Sequence, residues 1–151
     1  MTYEELLIEA DNNNLITKEK PLPISKGRIK GNRIAIKKGL TETEKKCVLA
    51  EELGHHYTTV GDILDQSSAA NRKQEMRGRI HAYNRHVGLL GIIDAYKHHC
   101  QNLFEAAEYL GVTDEILNDT LKYYKSKYGT YATVDNYAIM FEPAIAVIEL
   151  I

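Results

Sequence analysis

The chain has no tryptophan, two cysteines, two phenylalanines and three prolines in 151 residues. Each shortage removes a class of protein. Cys47 and Cys100 are too few to staple a small scaffold, so the fold must rest on an apolar core formed in a reducing setting. With few prolines, ten glycines and no repeat or low-complexity tract, the chain is neither a linker nor a fibre. The longest apolar stretches, Val87 to Ile93 and Ala144 to Ile151, fall far short of the roughly 20 residues a spanning helix needs. The opening MTYEELLIEADNNN has acids where a secretory leader has basic and then apolar residues, so a cytoplasmic protein is expected. Net charge is small too. Nineteen basic against 21 acidic residues leave −2, which points to no polyanionic or polycationic partner.

What remains is a globular composition, 44% hydrophobic and 26% charged, in a length that suits one domain. Thr2-x-x-Glu5 and Thr41-x-x-Glu44 are capping boxes; they predict a short amphipathic helix to Ala10 and a longer one to about Thr58. Residues 11–25, with their asparagines, Pro21 and Pro23, read as a loop. Arg28 to Ile36 alternates around Gly31-Asn32 and predicts a two-stranded hairpin ending near Gly39. A loop with Gly61 and Asp65 precedes a helix from about Ala69 to Gly88. Ile92 to Lys97, Leu103 to Leu110 and Glu115 to Tyr128 read as further helices, and Tyr131 to Ile151 as two or three short strands. The expectation is α+β in one domain, 1–151, with a core of 1–100 and a helical and strand appendage of 101–151.

Chemistry concentrates in Leu49-Ala50-Glu51-Glu52-Leu53-Gly54-His55-His56. At about 100° per residue, Glu51 and His55 share a helix face and Glu52 lies beside it. In His-Glu-x-x-His metallopeptidases two histidines hold zinc and the glutamate deprotonates the attacking water; the frame here is Glu-Glu-x-x-His. Glu75, the only acid between Asp65 and Asp94, is the candidate third ligand. A shifted pair, Glu52 and His56, is less favoured because it leaves no glutamate as base. The competing view is a solvated polar helix face, with Glu75 paired to Arg72 or Arg79. Against it stand the flanking Val48, Leu49, Ala50 and Leu53, and Gly54, which costs a helix about 1 kcal/mol and implies close approach of another backbone or a ligand.

Leu49 to His55 on a helix after paired strands resembles the Leu-Ala-His-Glu-Leu-Gly-His block of the ImmA/IrrE-type metallopeptidases, with Glu51 replacing the first histidine. Glu75-Met-Arg-Gly78-Arg-Ile-His81-Ala82 is similar to their third-ligand pattern, with glycine for alanine at 78 and histidine for an aromatic residue at 81. The resemblance implies a zincin-like core, metal ligands Glu51, His55 and Glu75, and Glu52 as general base. It also implies strand pairing of an extended substrate with Arg33, Ile34, Ala35 and Ile36. The cofactor it implies is Zn2+; two carboxylates and one imidazole make a harder set, to which Mn2+ or Fe2+ is also suited. The partner it implies is a helix-turn-helix repressor of a phage or mobile element. Tyr57, His56 and Tyr83 are the candidate oxyanion partners.

Two charge asymmetries hide within the small total. Lys26, Arg28, Lys30, Arg33, Lys37 and Lys38 put six positive charges into 26–38 without an acid. Residues 102–121 resemble a helix-turn-helix, yet carry Glu105, Glu108, Asp114, Glu115 and Asp119 and no lysine or arginine. Such a surface repels phosphate, so this segment is expected to pack or dock protein, and direct DNA binding by the chain is not expected. Beside the peptidase reading stand a non-catalytic antirepressor of the same fold and, third, a DNA-binding regulator.

Overall fold

In the computed structural model, which describes residues 1–59 and 68–151 with side chains from 71 onward in the second stretch, both capping boxes start helices. In α1 (Tyr3–Asn12) Thr2 Oγ1 accepts from the Glu5 N–H at 3.1 Å while Glu5 Oε2 accepts from the Thr2 N–H at 2.9 Å. In α2 (Glu42–Thr58) Thr41 and Glu44 repeat the exchange at 3.1 and 3.3 Å. Each box satisfies two backbone donors that a helix start leaves open, and so fixes the phase of the residues that follow.

The chain forms two compact units, Met1–Ala82 and Tyr83–Ile151. In the first, β1 (Ile16–Lys20), β2 (Gly27–Lys30) and β3 (Arg33–Lys37) form a sheet of order β1-β3-β2. The hairpin β2–β3 is where the alternation predicts it, though of its two turn residues only Gly31 takes a positive φ, 59°. β1 lies where a loop is expected, paired in parallel with β3. Its sequence, Ile-Thr-Lys-Glu-Lys, has one apolar side chain, so no hydrophobic period announces it. Backbone pairing and the Glu19 carboxylate, which holds Lys45 Nζ at 3.0 Å and accepts from the Tyr3 hydroxyl at 3.4 Å, secure it. Leu6 and Ala10 of α1, Ile34 and Ile36 of β3 and Leu49 and Leu53 of α2 close the core. The expected loop at Gly61 and Asp65 falls on residues 60–67, outside the described residues.

α3 (Ser68–His86) begins in the first unit and ends in the second. The second unit continues with α4 (Gly88–Lys97), α5 (Leu103–Leu110) and α6 (Asp114–Tyr128). Antiparallel strands β4 (Tyr131–Val134), β5 (Tyr137–Met140) and β6 (Ala146–Glu149) follow. Asn102 and Thr113 cap α5 and α6, and Gly111 turns between them at φ 67°. Its core gathers Leu117, Thr120, Tyr124 and Ile139. The architecture is α+β, six helices and two three-stranded sheets among the described residues. None of the described helices is long and apolar enough to cross a membrane.

Candidate functional site

The cap at Thr41 sets α2 so that Leu49 and Leu53 enter the core while Glu52 and His55 leave it on the neighbouring face, each only 8% exposed. That face opens onto a cleft of about 440 Å³. Gly27 to Ile29 of β2 line one side, Glu52 and His55 the floor, and Asn71, Gln74 and Glu75 of α3 the other side.

Three glycines permit this geometry. A Cβ on Gly54 would strike the carbonyl oxygen of Gly78, and a Cβ on Gly78 would enter the imidazole ring of His55. The backbones of α2 and α3 therefore meet at Gly54 and Gly78, which is the close approach that a glycine in the middle of α2 implies. It also accounts for glycine where the resembling pattern has alanine: the His55 ring fills the place of the missing methyl group. Gly27 makes room for Val48, and a Cβ there would stand 3.0 Å from Glu52 Oε1.

Seated on Gly78, His55 brings Nε2 to 3.4 Å from Glu75 Oε2, while Glu75 Oε1 lies 3.6 Å from Arg79 Nη2. The expected ion pair with Arg79 and the approach to His55 thus coexist, one on each oxygen. Burial pushes the His55 pKa down, with Glu75 opposing, so the ring favours its neutral, lone-pair-bearing form. Burial pushes Glu52 up to about 8, and the charges of Glu51 and Glu75 add to the rise. At neutral pH a carboxyl in this position keeps its proton unless positive charge comes beside it.

The donor chemistry can be tested against a divalent cation. Two ligands about 2.1 Å from one tetrahedral ion stand about 3.4 Å apart. The separation of His55 Nε2 and Glu75 Oε2 matches this, and the neutral imidazole suits it. Glu51 does not join them: it is half-buried and absent from the cleft lining, and among the described residues no group of three His, Cys, Asp or Glu side chains converges to hold a metal. The pair fits a cation; the third ligand is not gathered with it.

Other expected residues fall elsewhere. Arg33, Ile34, Ala35 and Ile36 cannot pair a substrate strand, because β3 lies between β1 and β2 with both edges hydrogen-bonded, and Ile34 and Ile36 are 2% and 0% exposed in the core. The edge at the cleft belongs to β2. Tyr57 turns to α1, where its hydroxyl donates to Glu9 Oε2 at 2.6 Å and accepts from Asn13 Nδ2 at 3.2 Å. The His56 ring lies tilted against that of Tyr57, and Tyr83 packs by Tyr123 in the second unit; none of the three lines the cleft. Asn71, Gln74 and Arg28 do; the two amides are not among the expected site residues, and Arg28 is expected only as one of the hairpin's charges. Asn71 stands four residues before Glu75, so helical spacing was the available signal. Comparison of the chain with family models, with curated proteins and with solved structures finds no match.

Proposed function

We propose that the first unit is the zincin-like catalytic part of a metal-dependent endopeptidase of the ImmA/IrrE type, acting on a helix-turn-helix repressor. The observation that carries the reading is that Glu52, His55 and Glu75 open onto one cleft lined by β2, whose outer edge pairs with no other strand among the described residues. In this reading an extended peptide adds to β2 at Gly27 to Ile29, which lays a carbonyl over His55 and Glu75. These two would hold the cation; Glu51, the further ligand that the resemblance implies, is not gathered with them. A Zn2+, Mn2+ or Fe2+ ion there supplies Lewis acidity toward the carbonyl and toward water. Glu52 takes the proton of the attacking water on its carboxylate and hands it to the leaving amine. Arg28 and the amides of Asn71 and Gln74 are the donors available to orient the peptide. The helix pair α5–α6, acidic and helix-turn-helix-like, serves as a protein-docking surface rather than a DNA reader.

The experiment is incubation of the repressor encoded nearest to this protein with substoichiometric wild-type chain and with Glu52→Gln. Cleavage that stops on chelation and is lost in the variant supports the proposal; cleavage by both proteins contradicts it. One observation favours a second reading, a non-catalytic antirepressor. Glu51 stands outside the cleft lining, which leaves two gathered donors. Equal relief of repression by both proteins without cleavage selects that reading.

A further inference from the structure

The outer face of the first sheet carries a charge pattern of which the peptidase reading uses Arg28 alone. Strand alternation puts eight side chains on that face, at 16, 18, 20, 28, 30, 33, 35 and 37. Six of them are Lys18, Lys20, Arg28, Lys30, Arg33 and Lys37, and none is an acid. The one acid of β1, Glu19, points to the opposite side and is held by Lys45. Among the described residues none of the six makes an ion pair.

Fold stability does not explain the pattern. Lys20 stands directly opposite Lys37, and Lys30 opposite Arg33, and like charges paired across strands destabilise a sheet. Protection of sheet edges from aggregation accounts for charges on β1 and β2, but not for Arg33 and Lys37 on the central strand. A shallow groove of about 190 Å³ runs over this face, lined by five of the six cations.

We propose that this face binds duplex DNA through its phosphate backbone, without reading sequence. The complementarity is of charge and of spacing. Alternate residues on one strand stand about 6.7 Å apart and neighbouring strands about 4.8 Å apart, a grid that meets several phosphates at once, since a duplex carries one charge per about 1.7 Å. A protein partner fits less well: such interfaces have an apolar centre and few lysines, whereas four of the six cations here are lysines around Ala35. Single strands are bound through stacking on aromatic rings, and this face has none. The acids of α5 and α6 belong to the second unit, and the eight positions of this face include no acid.

The test is fluorescence anisotropy of a labelled 20-base-pair duplex with the full chain between 50 and 200 mM salt. If four to six phosphates are neutralised, affinity falls roughly 10²- to 10³-fold over that range and is indifferent to sequence. Lys18→Gln, Lys30→Gln and Arg33→Gln together should weaken binding at 50 mM by about tenfold or more and lower the salt slope by about 3. Lys122→Gln, Lys125→Gln and Lys127→Gln together, on α6, should leave it unchanged. Circular dichroism checks that both triple variants fold. Absence of binding at 50 mM, equal loss in the two triple variants, tighter binding of a single strand, or equally tight binding of polyglutamate would each overturn the proposal.

Discussion

The two units bury different chemistry. Among the described residues the first buries Lys46, Glu52 and His55 as whole side chains, all titratable, whereas the second, outside its tyrosines, buries Thr120, whose hydroxyl donates to the Ile116 carbonyl at 2.7 Å, and only one ring nitrogen of a half-buried histidine, His86. A buried hydroxyl with a partner is an ordinary component of a core; a buried carboxyl beside other carboxylates is held there against its hydration. The first unit keeps Glu52 and His55 on the floor of a cleft, where added charge or ligand compensates. The second unit folds by apolar packing and helix caps.

The largest expected effect separates the units by pH. Glu52 titrates near 8 in the folded chain against 4.5 for a free carboxyl, so between these values the folded chain holds a proton that the unfolded chain releases. Stability is therefore greatest, as regards this group, below pH 4.5 and falls as pH rises to 8, by up to roughly 5 kcal/mol. Urea unfolding of chelator-treated wild type and Glu52→Gln across this range should show the variant gaining on the wild type as pH rises. The difference between the two isolates Glu52 from His55, whose lowered pKa acts in the opposite sense as pH falls. Parallel profiles would remove the distinction drawn between the units.

Next in size is a contrast of glycines. Gly54→Ala or Gly78→Ala sets a methyl against a backbone carbonyl or the His55 ring and should cost about 3 kcal/mol in urea unfolding. Gly91→Ala in α4 meets only Leu110 Cδ2, at 3.2 Å, the free end of a side chain. It should change stability by less than about 1 kcal/mol, because alanine also favours the helix. Equal effects would mean that α2 and α3 are not in contact at Gly54 and Gly78.

The smallest effect should not distinguish the units. Thr41→Ala in the first and Thr113→Ala in the second each remove a side-chain acceptor at a helix start, and each should cost about 1 kcal/mol by thermal or urea unfolding. A much larger loss for Thr41 would show that its cap also governs the phase of Glu52 and His55.

What was legible in the sequence is local. The capping boxes, the helical period of residues 48–55 and the glycine at 54 act over one or two turns, and α1 and α2 stand where these signals put them. β1 escaped because a strand with one apolar residue has no period to detect. That omission had a consequence for the site: without β1, the hairpin offers β3 as a free edge, and with it the edge strand at the cleft, among the described residues, is β2. The contact of His55 with Glu75 depends on two glycines that are 24 residues apart, a pairing that no local signal contains. The adjacent glutamates differ for a like reason, because one position along α2 turns Glu52 into the cleft and leaves Glu51 half-buried outside its lining.

The claim that the cleft is built around a cation is tested most directly by equilibrium dialysis of the chelator-treated full chain against zinc, followed by metal analysis. One tightly held ion per chain is expected in the wild type and in Glu52→Gln, and binding weakened at least tenfold in His55→Ala. Wild-type protein that takes up no ion, or a His55→Ala chain that holds zinc as tightly as the wild type, would contradict it.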